Sequence, residues 1–171
     1  MTKKQMALIF GTVILLGAPS CADVASGVTS AVLDKALEEG PATIEADFRA
    51  AVDLNPDHEG NPSPLVVRLY ELKSATAFNN IGFFLLYDND SGELGNDLKA
   101  REELEFQPGQ ALLLERELEL ETRYIGVMAA YRDIENARWR AVLEVEPGSN
   151  TEVIIVLDRL AVSIEVDESW F

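Results

Sequence analysis

Cys21 and His58 are the only cysteine and the only histidine in this 171-residue chain, and they bound its nucleophilic and metal chemistry. A lone thiol cannot close a disulfide within the chain. His58 lies in "NPDHEGNPSP", Asn55 to Pro64, flanked by Asp57 and Glu59. Asp57, His58 and Glu59 can be drawn as a metal cluster. A zinc site usually takes further His or Cys ligands, however, and adjacent residues point apart on extended backbone. His58 therefore reads as a solvated loop residue. "DNDSGE", Asp88 to Glu93, hints at a calcium loop, but with Asp88 first, Gly92 falls at a ligand position and Lys99 where the closing Glu belongs. It reads as a polar turn. Glu115, Glu117, Glu119 and Glu121 alternate on one solvent face with no pocket implied, so acid–base work is a poor fit. Arg132, Arg138 and Arg140 offer those acids cross-strand partners. No Ser-His-Asp, Cys-His or phosphate-loop arrangement exists. The expectation is a non-enzyme with no metal and no cofactor.

The elements that carry these residues are mostly strands. Ile44, Ala46, Phe48, Ala50, Val52 and Leu54 alternate with polar neighbours, a period of two that predicts a half-buried strand. It ends at Asn55–Pro64, where three prolines and a glycine forbid regular structure. "LVVRLYELK", Leu65 to Lys73, is a more apolar strand. Ser74 to about Asp97 reads as a mostly helical insertion, capped by Ser74, with its aromatics against the sheet and a polar turn at Asp88–Gly95. Strands resume from Leu98. Leu104 and Phe106 alternate with acids, Pro108-Gly109 turns the chain, and Leu112, Leu114, Leu118 and Leu120 face one way. "RYIGVMAAYRD", "RWRAVLEVE", "TEVIIVLD" and "LAVSIEV" complete the set. Many short alternating strands with turn signals predict a mainly β, antiparallel β-sandwich of two sheets over residues 42–171.

The N-terminus reads differently. Lys3 and Lys4 precede "MALIFGTVILLG", Met6 to Gly17, which falls short of the ~20 apolar residues a spanning helix needs. Basic start, short apolar run and small residues describe a secretory signal over residues 1–20. Two cleavage readings stand. Signal peptidase could cut after Ala18-Pro19-Ser20, or the stretch resembles a bacterial lipobox, with Cys21 acylated as the new N-terminus. Acyl chains would then be the only attached group, each buried methylene contributing ~0.8 kcal/mol. In lipoproteins an Asp directly after the cysteine favours the inner membrane. Ala22 stands here, which leans toward the outer one. Residues 21–41 read as a lipidated cysteine and tether, with Val28, Val32, Leu33, Ala36 and Leu37 at helical spacing.

Charge narrows the partners. The chain carries 14 Lys and Arg against 30 Asp and Glu, a formal charge of -16; loss of Lys3 and Lys4 with the signal leaves 12 against 30, or -18. Phosphate backbones and anionic headgroups repel such a surface, so nucleic-acid binding is excluded and membrane attachment must come from lipid. A hydrophobic fraction of 47% is ample for a core.

Four ordered stretches then carry a resemblance: "LNPDHEGNPSPLVVRLYELKSATAF" (Leu54 to Phe78), "LGNDLKAREELEFQPGQ" (Leu94 to Gln110), "RYIGVMAAYRDIENARWR" (Arg123 to Arg140) and "LDRLAVSI". With the leader, they resemble the TssJ family, the outer-membrane lipoprotein of type VI secretion systems, over nearly the whole mature chain. The resemblance implies a transthyretin-like sandwich with a small helical addition. It also implies anchorage at the periplasmic face of the outer membrane, within a TssJ–TssL–TssM complex. The partner it implies is the periplasmic C-terminal region of the inner-membrane protein TssM, met by the loop between the first two strands. Here that loop is Asn55, Pro56, Asp57, His58, Glu59, Gly60, Asn61, Pro62, Ser63 and Pro64. Its prolines restrict the unbound ensemble, so less entropy is lost on docking. The rival reading is a soluble periplasmic carrier of a small hydrophobic ligand, which needs an apolar pocket lined by Phe83, Phe84 or Tyr87. The acidic tail ending in Trp170-Phe171 either patches the sandwich edge or meets a partner.

Overall fold

The computed structural model describes residues 40–167; the leader, Cys21, the tether up to residue 39 and the Trp170-Phe171 tail lie outside the described residues. Eight strands form two four-stranded sheets: β1 (Thr43–Ala50), β2 (Leu65–Leu72), β3 (Leu98–Phe106), β4 (Ala111–Glu117), β5 (Tyr124–Ala129), β6 (Arg140–Glu144), β7 (Asn150–Leu157) and β8 (Val162–Val166). One sheet has the order β4-β1-β7-β8 and the other β3-β2-β5-β6. The sandwich is mainly β, as the alternation predicts. Among the described strands all pairings are antiparallel except β1 with β7, which run parallel over eight residue pairs. Local periodicity sets which face a strand buries. It does not encode the partner, which here lies about a hundred residues away.

The core follows from the period of two. Ile44, Ala46 and Phe48 from β1 meet Leu65, Val67 and Leu69 from β2, with Ile125 and Val127 of β5 and Val153 and Ile155 of β7 completing the layer. Phe48 and Phe106 stack with ring centroids 5.0 Å apart. β2 and β5 are buried on both faces, which explains their continuous apolar sequences. Their outer face, with Tyr70, Leu72 and Met128, is covered by Phe78, Leu86 and Leu94 of the insertion.

The insertion contains α1 (Thr76–Asn80), α2 (Phe83–Leu94) and a 3-10 turn at Gly95–Asp97. Ser74 Oγ accepts the Thr76 N–H at 3.3 Å, but the helix proper is flanked by Ala75. Gly126 lets α1 approach closely: a Cβ there would sit 3.0 Å from the Phe78 ring. Asp88–Gly95 is not a turn. The helix continues through it to Leu94, kinked at Asn89, whose φ and ψ are -147° and 48°. The kink presents Asp90, 4% exposed, to Arg101 (2.7 Å), Arg68 (3.3 Å) and the Tyr70 hydroxyl (3.2 Å). Burial would raise the Asp90 carboxyl, but the Arg101 hydrogen bond and charge outweigh it and hold the group below its usual value.

Two further sequence expectations are corrected. The first strand stops at Ala50, and Val52 is 78% exposed in the following turn. The alternation after Pro108 runs only to Glu117; Leu120 is exposed, and Glu121 turns with φ 68° to meet Lys73 (2.5 Å) and Lys99 (2.8 Å).

Candidate functional site

The sandwich has two ends, defined by β1. Where β1 begins, the interior is closed by charge. Glu71, 1% exposed, lies 2.9 Å from Arg116 and accepts the Glu119 N–H at 2.6 Å. Arg116 also meets Glu102 at 2.9 Å. Where β1 ends, the β3–β4 turn (107–110) hydrogen-bonds its last residues, and three further loops converge: β1–β2 (51–64), β5–β6 (130–139) and β7–β8 (158–161).

Asn55 organises that second end. It is 2% exposed and sits at φ 48°, a left-handed conformation that Asn tolerates better than most residues. Its side-chain N–H donates to the Pro64 carbonyl at 2.7 Å, closing the base of its own loop. Its side-chain oxygen accepts the Arg132 N–H at 2.8 Å, and its backbone N–H donates to the Arg159 carbonyl at 3.0 Å. One neutral amide residue thus fastens these three loops. Tyr131 adds a hydrogen bond to the Asp158 carbonyl at 3.0 Å, and burial pushes its phenol well up.

The ten loop residues divide by role. Asn55, Pro56 and Ser63 are buried and hold the base, while His58, Glu59, Gly60, Asn61, Pro62 and Pro64 are exposed. Between them Asp57 builds the tip. Its carboxylate accepts the N–H groups of Glu59 and Asn61, each at 2.9 Å, and the Asn61 side chain at 3.2 Å. The Asn61 N–H, then its side chain, hold the Asp57 carboxyl below its usual value. The loop is irregular yet has a defined shape. His58 reaches only Glu59, at 3.8 Å, with 90% of its side chain exposed. Among the described residues no group of three or more His, Cys, Asp or Glu is placed to hold a metal.

Beside the tip lies an open cleft of about 530 Å³, lined by Pro56, Asp57 and His58 on one side and by Arg132, Asp133, Arg159 and Leu160 on the other. Sequence reasoning missed the second group. It assigned Arg132, Arg138 and Arg140 to pairing with the glutamates of the fourth strand, which belongs to the opposite sheet. Instead Arg138 donates to the Val162 carbonyl, and Arg140 to the carbonyls of Phe78 and Ile81. The available signal was Tyr131-Arg132-Asp133 directly after an apolar strand, where the chain must leave the sheet. Phe83, Phe84 and Tyr87 do not line this cleft. Phe83 packs on Trp139 and Tyr87, while Phe84 is 67% exposed.

The fold is a two-sheet β-sandwich with an ordered, irregular loop beside a polar cleft at one end. The chain belongs to the type VI secretion lipoprotein family (VasD, EvfM, TssJ, VC_A0113), which matches residues 42–168. The family is a structural component of type VI secretion and places the chain in the cell envelope, associated with a membrane. Among solved structures the chain is similar to the type VI lipoprotein TssJ1 of Pseudomonas aeruginosa, with TM-score 0.73 and 38% identity over 76% of this chain and 99% of that one. It is also similar to a chain of a type VI membrane complex, with TM-score 0.65 and 26% identity over 74% and 99%. A third likeness is to a chain in the structure of the TssM C-terminal domain (869-1107) from EAEC, with TM-score 0.60 and 26% identity over 72% and 97%. A search of curated proteins returned no match.

Proposed function

We propose that this chain is the lipid-anchored outer-membrane component of a type VI membrane complex, and that it docks the periplasmic C-terminal region of TssM through the β1–β2 loop. In this reading residues 1–20 are a cleaved signal, acylated Cys21 holds the periplasmic face of the outer membrane, residues 22–41 tether the sandwich, and TssM, with TssL, is rooted in the inner membrane. The supporting observation is the placement of the loop. The chain enters β1 at Thr43 from the N-terminal side and leaves it at Ala50 into the Asn55 loop. Eight extended residues separate the two by about 25 Å, so the chain joins the sandwich from its N-terminal side at the end opposite the loop. Proteins of the same fold occur in a type VI membrane complex and in the TssM C-terminal domain structure, which agrees with this partner.

Calorimetric titration tests the docking. The chain without residues 1–20 and with Cys21→Ser is titrated with the TssM C-terminal region of its own system, beside a variant carrying Asp57→Gly, His58→Ser and Glu59→Gly. Saturable binding that weakens at least tenfold in the folded variant, ~1.4 kcal/mol, is the expected result. Equal affinity in both moves the contact off the loop. For the anchor, Cys21→Ser in the full chain releases the domain from membranes; retention in the pellet after carbonate washing sinks that claim.

A further inference from the structure

Among the described residues, Arg132 is the one basic side chain that the fold leaves unspent. Lys73 and Lys99 pair with Glu121, Arg49 with Asp47, Arg68 with Glu103, Arg101 with Asp90 and Arg116 with Glu102. Arg123, Arg138 and Arg140 donate to backbone carbonyls. Arg132 contributes only its backbone N–H, to Asn55, which fixes the residue while its exposed side chain stays free at the cleft. Arg159 shares the cleft and is held by Asn55 too. Its ion pair with Asp53 is long, at 3.6 Å, and half exposed on both sides. Such a pair contributes little.

An unpaired guanidinium is notable in a chain with 30 acidic residues. The acids that share the cleft with it are already engaged. Asp57 is engaged by its own turn, and Asp133 accepts two hydrogen bonds from the Asn136 side chain at 2.9 and 3.0 Å. We infer that the cleft binds a carboxylate presented by the partner protein, with Arg132 as its principal contact and Arg159 as a second. A planar guanidinium engages a carboxylate through two parallel N–H donors, which supplies direction as well as attraction. A peptide fits the cleft better than a phosphate does. Asp57 and Asp133 would repel a dianion, yet their remaining lone pairs can accept N–H groups of the peptide that carries the acid. Pro56 and Leu160 add apolar contact. The inference rests on the docking reading above and names the chemistry that its partner must supply.

The test uses the Cys21→Ser chain without residues 1–20 and the TssM C-terminal region. Arg132→Ala should weaken binding roughly tenfold or more, and Arg132→Glu further. Arg132→Lys should keep part of the affinity, and Arg159→Ala should cost less because Asp53 already offsets that charge. Wild-type affinity should fall with salt, and that of Arg132→Ala should fall less steeply. The backbone N–H to Asn55 survives in every variant, so circular dichroism should show an unchanged fold. If Arg132→Ala binds like wild type while the Asp57-His58-Glu59 variant is weakened, the carboxylate inference is overturned and the docking reading stands. No binding by wild type removes both. If phosphatidylglycerol vesicles capture the wild type but not Arg132→Ala, the occupant is a headgroup phosphate and the inference fails.

Discussion

At the end where β1 begins, the organising groups are ionic and matched: buried Glu71 with the partly exposed Arg116, Arg116 with Glu102, and, nearer the surface, Glu121 with two lysines. At the end where β1 finishes, the organising group is the uncharged side chain of Asn55, which both donates and accepts. A buried charge must recruit a counter-charge from the fold. A buried amide can be satisfied by backbone groups alone. The closed end therefore consumes its cations in holding the two sheets together. At the loop end the Asn55 amide fastens three loops, the one ion pair between them, Arg159 with Asp53, is long and half exposed, and Arg132 stays available. Stability and contact are separated by the choice between a carboxylate and an amide.

Four measurements can break or sharpen this contrast. The largest effect is expected at the closed end: Glu71→Ala strands Arg116, whose side chain is 26% exposed, with Glu102 alone. A loss of about 3 kcal/mol in urea unfolding is expected, with the TssM-region Kd unchanged. Asn55→Ala should cost about 2 kcal/mol, through a lost hydrogen bond at each end of the amide and a left-handed backbone that Ala resists. Here the Kd should rise as well, and Asn55→Gly, which tolerates the backbone, isolates the amide's share. If Asn55→Ala destabilises the fold and leaves docking intact, the division between the ends is wrong.

The third measurement is a pH series. The hydrogen bond from Lys73, then that from Lys99, hold the Glu121 carboxyl at about 2, below its ordinary 4.5. A folded-state value below the unfolded one gives stabilisation that is complete above the unfolded value and is lost as pH falls through the folded one. Tm should therefore decline between about pH 4.5 and about pH 2, less steeply in Glu121→Gln, whereas Asn55→Ala should keep the wild-type slope. The smallest effect concerns the outer face of the first sheet. Glu45 lies directly opposite both Glu115 and Glu152. Glu45→Gln should stabilise by about 0.3 to 0.5 kcal/mol at low salt, and high salt should erase the gain. There an excess of one sign opposes folding, whereas the free Arg132 waits for a partner.

Much of this architecture was legible in the residues, and the failures have a common cause. Ile44-x-Ala46-x-Phe48 announced its buried face because burial on a strand is a local, period-two property. Val52 continued the pattern in sequence but not in space, since turn geometry ends the strand first. Asp88 to Glu93 looked like a turn because its composition is polar; the helix persists there since Arg68, Arg101 and Tyr70 on the sheet receive Asp90. The Asn55–Pro64 loop stood out through its prolines. Its inner division did not, because the roles of Asn55 and Arg132 are set by a hydrogen bond across 77 residues. Nor could Arg116 be seen as the cation that closes the far end, when alternating glutamates on either side marked its strand as a solvated face.

The parallel pairing of β1 with β7 has a mechanical meaning. A pull applied between the N-terminal side of the domain and the Asn55 loop enters at Pro41 and leaves along a single strand. That strand is flanked on one side by seven residue pairs with β4 and on the other by eight with β7. Ladder hydrogen bonds lie across the direction of such a pull, so they are sheared together and cannot be unzipped one at a time. The strand that joins the two ends of the molecule is thus held on both sides, and a load applied between those ends is carried along it.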